Sequence, residues 1–184
     1  REIKRREAAE LLAHESARHD ALTGLANGRR FREALAHAIE SARQSPSSCA
    51  ILFIDLDRFK PVNDMYGHAI GDEVLIDVAQ QIAKAAPMGA TAARLGGDEF
   101  GILLEACTLE QATRIADSIR QAIRDYRFTW GASTLSVGAS IGVVEIKKET
   151  ESVAAIMSAA DIACYAAKDE GRNRIHVYDG GGAT

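Results

Sequence analysis

The sequence predicts an α/β (α+β) domain built on a mixed central β-sheet, with parallel and antiparallel pairs, flanked by helices. Three observations predict it. Short apolar runs bounded by turn residues alternate with longer stretches of helical period. Gly96-Gly97 sits between two apolar runs, a hairpin signal that demands an antiparallel pair. No motif repeats at a fixed period along the 184 residues, which suit one domain of ordinary size plus a short appendage.

The appendage is residues 1–19, charged of both signs with a thin apolar stripe of Ile3, Leu11 and Leu12. That pattern predicts an exposed helix, one strand of a short coiled coil or a solvated leader. The chain opens mid-pattern without Met, so a segment of something longer is expected. Residues 20–178 make up the domain. Asp20 to Asn27 is a punctuated piece, with Asn27 placed to cap a helix running from Gly28 to about Arg43. Ser45-Pro46-Ser47-Ser48 breaks the chain, and Cys49–Asp55, apolar and ending in acid, reads as a buried strand. Residues 58–64 read as a short connection. Residues 72–86 form an amphipathic helix with Val74, Leu75, Val78 and Ile82 on one side. Ala92–Leu95 and Phe100–Leu104 are the hairpin strands, and residues 109–125 are helical again. Leu135–Ile146 reads as one strand, 152–168 as the last helix, Arg174–Tyr178 as a closing strand, and 179–184 as a flexible Gly-rich tail.

Charge and composition narrow the function. Twenty-two Lys+Arg against 26 Asp+Glu give a net charge of −4, so no basic field invites nucleic acid. The longest apolar run, Cys49–Ile54, falls far short of a membrane span. Three scattered cysteines read as free thiols in a reducing compartment, which predicts a cytoplasmic domain, whether or not a parent protein is membrane-anchored.

The candidate chemistry lies in two sets of charges. Asp55 and Asp57 end a buried strand on one face, with Leu56 pointing the other way. Asp98 and Glu99 follow the Gly-Gly turn. A lone strand-end acid is commonly solvated or caps a turn. Four acids on converging strand ends instead favour an oxygen-bound cation, Mg2+ or Mn2+. Lys60 and the neighbouring backbone amides could meet phosphate oxygens. Lys168 and Arg172, four residues apart where the last helix ends, could share one anion, though such groups also complement a helix dipole in water. No P-loop or dinucleotide fingerprint occurs, so a triphosphate would have to be held by metal and scattered cations. Glu33-Ala-Leu35 is a chance string inside an amphipathic helix.

Gly96-Gly97-Asp98-Glu99-Phe100 resembles the signature of the GGDEF family of diguanylate cyclases. The resemblance extends, in order, through Asp20-x-Leu-Thr-Gly-Leu-x-Asn27, Ile54-Asp-Leu-Asp-Arg-Phe-Lys60, Asn63-Asp-x-x-Gly-His68, Gly71-Asp72, Ser140-Ile-Gly142 and Ala167-Lys-x-x-Gly-Arg-Asn173. It covers about residues 20–178. It implies a palm-like mixed sheet similar to nucleotide cyclases and polymerases, and a reaction in which two GTP become cyclic di-GMP and two pyrophosphates.

By the same resemblance, Asp55 binds metal through its side chain and Leu56 through its carbonyl. Asp98 takes a second metal position and activates the attacking 3′-hydroxyl, with Glu99 helping at metal or proton. Lys60 steadies charge on phosphate, Asn63, His68 and Asp72 contact the nucleoside, and Lys168 with Arg172 hold the terminal phosphates. Asp72 can accept from both N1–H and the N2 amine of guanine, whereas adenine would leave that carboxylate unpaired. Where the family's product-inhibition site has Arg-x-x-Asp, this chain has Pro87-Met-Gly-Ala90, so no tight feedback is expected there. Each half-site holds one GTP, so ring closure implies a homodimer, governed by an upstream sensor domain through residues 1–19. The alternative is a GTP-binding regulatory module for a neighbouring phosphodiesterase domain downstream. The intact Asp55, Lys60, Asp98 and Glu99 favour the enzyme.

Overall fold

The computed structural model describes residues 1–45 and 47–180. The chain begins with α1 (Glu2–Ser16) and α2 (Gly28–Gln44), then β1 (Cys49–Asp57), α3 (Phe59–Tyr66) and α4 (His68–Ala85). The hairpin β2 (Thr91–Gly96) and β3 (Glu99–Glu105) leads to α5 (Leu109–Asp125). A small hairpin follows, β4 (Phe128–Trp130) and β5 (Ser133–Leu135), then β6 (Gly138–Ile146), α6 (Val153–Asp169) and β7 (Ile175–Val177). The predicted mixed sheet is present: five strands in the order β2-β3-β1-β6-β7, antiparallel except for the β6–β7 pair.

Strand β1 is the spine of the molecule. Its even-numbered residues, Ala50, Leu52, Ile54 and Leu56, enter a core shared with α3, α4 and α5. Cys49, Ile51 and Phe53 face the opposite way, into a second core with α2 and α6. Apolar burial on both faces explains why β1 reads as a continuous run rather than an alternation. Each fully buried Leu or Ile of this kind contributes about 1.5–3 kcal/mol. Asp55 and Asp57 continue the odd-numbered series, so they emerge on the α2/α6 face.

Close packing sets the distance of α6 from that face. A Cβ on Gly142 would lie 2.7 Å from both the Ala160 carbonyl oxygen and the Cys164 amide nitrogen. Glycine there lets the helix backbone rest directly on β6. Asn27 caps α2 as expected, its side chain accepting from the Arg30 amide at 3.0 Å. Cys49, Cys107 and Cys164 are buried free thiols. Helix α1 buries no residue, and Ile3, Leu11 and Leu12 are exposed along it.

Four expectations need correction. Residues 59–66 form a helix rather than a connection: Pro61 falls in its first turn, where a missing N–H costs no helical bond, and Phe59 and Val62 anchor it in the core. Helix α4 starts at His68, not residue 72, because Gly67 adopts a φ of 88° and turns the chain directly from α3 into α4. The expected strand at 135–146 is two separate strands, β5 ending at Leu135 and β6 beginning at Gly138, with β4–β5 forming its own two-stranded sheet. Finally, β1 runs on to Asp57 because β6 pairs with it to the end, Asp57 opposite Gly138. From residue 181 onward the expected tail lies outside the described residues.

Candidate active site

Asp55 lies directly opposite Glu99 in the antiparallel β1–β3 register. The Leu56 N–H donates to the Asp98 carbonyl at 3.2 Å, which ties the Gly-Gly turn to the end of β1. That bond marks Asp55–Glu99 as a narrow, non-hydrogen-bonded pair, its Cα atoms about 4.5 Å apart and both side chains on one face. Gly97, at a φ of 49°, supplies the left-handed residue the tight turn needs. A strand residue's N–H and C=O point the same way, so the Leu56 carbonyl also faces the hairpin turn.

The electrostatics follow from this crowding. Burial raises the Asp55 pKa; Lys168 offsets part of the rise, while the Asp98 and Asp57 charges add to it. Burial also raises Glu99, helped by Asp55, Asp98 and Asp161. Lys168, coming from the last turn of α6, hydrogen-bonds and ion-pairs with Asp55. Burial works against its charge, but the Asp55 bond outweighs it and raises the lysine pKa. Asp55, Leu56, Lys60, Asp98, Lys168 and Arg172 border one cavity of about 280 Å3.

Asn63, His68 and Asp72 form a second group, at the corner where α3 meets α4. Asn63 is half-buried against the helix, while His68 and Asp72 are exposed one turn apart on α4. Asn63 packs over Gly71 so closely that a Cβ there would sit 1.8 Å from Asn63 Oδ1. Lys60 and Asn63, three residues apart on α3, share one face of that helix and connect the two groups. The sheet thus gathers carboxylates and cations at one end, and α3 leads from them to a polar corner.

Among the described residues, no three His, Cys, Asp or Glu side chains converge to hold a metal ion. The donor types nonetheless fit a hard divalent cation. Asp55 and Glu99 are facing carboxylates, Glu99 raised by burial and by the Asp55 charge, and the Leu56 carbonyl faces the same turn. Lys168 supplies the positive charge at Asp55 in this arrangement. Asp57, in contrast, does not join the cluster as a free acid. Its Oδ1 accepts from Ser140 Oγ at 2.6 Å and its Oδ2 from the Asn173 N–H at 2.8 Å, so it clasps β1, β6 and the segment after α6 together.

Two further supports escaped the sequence reading. Arg94 Nε donates to the Gly97 carbonyl at 2.9 Å, and its NH1 pairs with Asp20 at 3.2 Å. Asp20 also accepts from the Thr23 backbone and hydroxyl, at 2.9 and 2.7 Å. Burial works against the Asp20 charge, yet these bonds prevail and hold its carboxyl below the usual range. The same segment extends the sheet: Ala26 takes a position beside Ala93, donating to the Ala92 carbonyl and accepting from the Arg94 amide. Second, Trp130 of the small hairpin hydrogen-bonds Glu73 of α4 and lies 6.3 Å, centroid to centroid, from Tyr66 of α3, bracing the α3–α4 corner. The acid–base spacing of Asp20 and Arg94, 74 residues apart, leaves no local signal in the sequence.

Comparison with known proteins agrees with this geometry. The family model described as "Diguanylate cyclase, GGDEF domain" matches residues 17–174. The probable diguanylate cyclase DgcE of Escherichia coli is 46% identical over 164 residues, 89% of this chain and 15% of that protein. The diguanylate cyclase TpbB of Pseudomonas aeruginosa is 40% identical over 162 residues, 88% of this chain and 37% of that one. The chain therefore spans less than half the length of these curated relatives. The coiled coil and GGDEF domain of DgcB from Caulobacter crescentus, solved with c-di-GMP, superposes with a TM-score of 0.89 at 30% identity, covering 96% of this chain and 93% of that one. The GGDEF domain of TpbB superposes with a TM-score of 0.82 at 37% identity, covering 88% and 94%. A family match along most of the chain, carried by the hairpin that sets Glu99 against Asp55, makes this protein a member of the GGDEF-domain diguanylate cyclase family.

Proposed function

We propose that this domain joins two GTP molecules into cyclic di-GMP, releasing two pyrophosphates, as a homodimer in which each copy presents one GTP. The observation that carries the reading is the pairing of Asp55 with Glu99 across β1 and β3, with Asp98 tied beside them and Lys60, Lys168 and Arg172 around one cavity. Named relatives are diguanylate cyclases, and the DgcB domain was solved with c-di-GMP.

In this reading the triphosphate lies in the cavity, its terminal oxygens on Lys168 and Arg172 and its transferring phosphate near Lys60. The base lies at the α3–α4 corner, where Asp72 accepts from guanine N1–H and N2, and Asn63 and His68 complete the contact. Asp55, the Leu56 carbonyl, Asp98 and Glu99 would hold a divalent cation, Mg2+ or Mn2+, which when bound lowers the pKa of the hydroxyl and offsets phosphate charge. The 3′-oxygen of one GTP attacks the α-phosphorus of the other. Its proton passes to Asp98, assisted by Glu99, as the bond to the bridging oxygen breaks and the electron pair leaves with pyrophosphate. A second such step, with the roles of the two nucleotides exchanged, closes the ring. Raised Asp55 and Glu99 pKa values register how strongly this cluster seeks positive charge.

Residues 1–19 connect the domain to an upstream sensor, and a phosphodiesterase domain could follow in the parent protein. No helix of the described residues is long and apolar enough to cross a membrane. The test is incubation with GTP and Mg2+, followed by chromatography of the products. Wild type is expected to yield cyclic di-GMP and pyrophosphate in a 1:2 ratio, and Asp98→Ala neither. Equal output from both proteins, or none from wild type at any concentration that permits dimers, overturns the reading.

A further inference from the structure

Helix α3 has a second side. Lys60 and Asn63 lie on one face, while Pro61, Val62, Met65 and Tyr66 lie on the other, over a cavity of about 500 Å3. Three arginines from three separate parts of the chain line that cavity: Arg58 at the β1–α3 junction, Arg124 in the last turn of α5, and Arg172 just after α6. None of them has an ion-pair partner among the described residues. The one acid in the lining, Asp57, already has both oxygens engaged by Ser140 and Asn173.

Three cations gathered at one hollow repel each other, and an anion relieves that repulsion. Guanidinium groups favour phosphate oxygens, which they meet with paired N–H donors. The remaining walls suit a flat organic body: the Tyr66 ring, an exposed and adaptable Met65, and Leu135. The frame is also held in place. Arg58 and Arg172 adopt left-handed backbone conformations, at φ of 56° and 64°, and the Asp57 clasp fixes the strand end and loop that carry them.

We propose that this cavity is a second nucleotide site, taking a nucleoside phosphate with its phosphates on Arg58, Arg124 and Arg172 and its ring against Met65, Tyr66 and Leu135. It lies across α3 from the corner that carries Asn63 and Asp72, so it is separate from the base contact described above. The two cavities adjoin: Asp57, Arg58 and Arg172 border both, and of the three arginines Arg124 alone belongs only to this one. A ligand here draws Arg172 from the terminal phosphates of GTP, which makes the site inhibitory; this consequence alone rests on the cyclase reading.

The experiment is titration calorimetry of the whole chain with ADP, a probe whose adenine lacks the N2 amine that Asp72 would accept from. Wild type is expected to bind ADP saturably at one site per chain, and Arg124→Ala at least tenfold more weakly. Arg124→Ala should keep the circular dichroism spectrum and melting temperature of wild type, which reports an intact fold, and Arg124→Lys should restore part of the ADP affinity. In turnover assays ADP should inhibit wild type and spare Arg124→Ala. The proposal is overturned if ADP shows no saturation up to about 5 mM, an affinity weaker than about −3 kcal/mol. It is equally overturned if Arg124→Ala binds ADP like wild type, or if inorganic pyrophosphate binds as tightly as ADP. A chain that binds ADP through Arg124 but makes no cyclic di-GMP would sink the cyclase reading and leave this one standing.

Discussion

Gly71→Ala tests how the α3–α4 corner is built. A Cβ at this position would lie 1.8 Å from Asn63 Oδ1, 3.0 Å from Asn63 Cγ and 3.4 Å from Phe59 Cζ. Real contacts require about 3 Å or more, so the amide oxygen must retreat by roughly 1.2 Å (3.0 minus 1.8). Overpacking of this kind costs about 1–3 kcal/mol. Replacing glycine by alanine inside a helix returns about 1 kcal/mol, so the single variant should lose at most about 2 kcal/mol. Asn63→Ala removes the clashing atom, and in that background Gly71→Ala should become neutral or stabilising. The coupling between the two substitutions is then about 2 kcal/mol, or about 4–8 °C in Tm for a chain of this size. Thermal denaturation of the four proteins measures it, and GTP titration should show weakened binding in Gly71→Ala as Asn63 leaves its place. Equal destabilisation by Gly71→Ala in both backgrounds would refute the reasoning.

Three more outcomes follow from the same geometry. Asp72→Ser should erode the preference for GTP over ATP by about 10–100-fold, since two hydrogen bonds to a charged acceptor are weakened; unchanged discrimination in competition assays removes Asp72 from base recognition. Lys168→Met leaves the half-buried Asp55 without its cation, and should lower Tm by a few degrees, about 1–2 kcal/mol, with turnover falling far more steeply than stability. Asp20→Asn should lower Tm at neutral pH by about 1–2 kcal/mol worth of stability. Because the folded-state pKa of Asp20 is depressed, that contribution is complete above the ordinary carboxylate pKa of about 3.9 and is lost as pH falls through the lower folded value. Melting curves of the two proteins should therefore converge only in strong acid; a constant gap down to the lowest pH would show that the charge is irrelevant.

The parts of this protein that the sequence revealed are those written in local pattern. Seven of the nine residues of β1, Cys49–Ile54 and Leu56, are buried between two helical layers and are apolar for that reason, and Gly96-Gly97 announces a turn because Gly97 needs its left-handed φ. The acids were legible as strand ends, and register then placed Asp55 against Glu99. What escaped was short or long-range. Helix α3 has eight residues with a proline among them, too brief for a periodic signal. The β4–β5 strands have three residues each, turning at Gly131 and held by Trp130 to Glu73, a partner 57 positions away. Asp57 looked like a twin of Asp55 because alternation put both on one face. Only the fold shows that Ser140 and Asn173 had already claimed it.

The stretch between α1 and the Gly-Gly turn is short of slack. Asn27 reaches back to the Ala17 carbonyl at 2.6 Å, Ala26 is stitched to the rim of β2, and Arg94 grips Asp20 with one end of its guanidinium and Gly97 with the other. A continuous run of hydrogen bonds therefore joins the C-terminal end of α1 to the loop bearing Asp98.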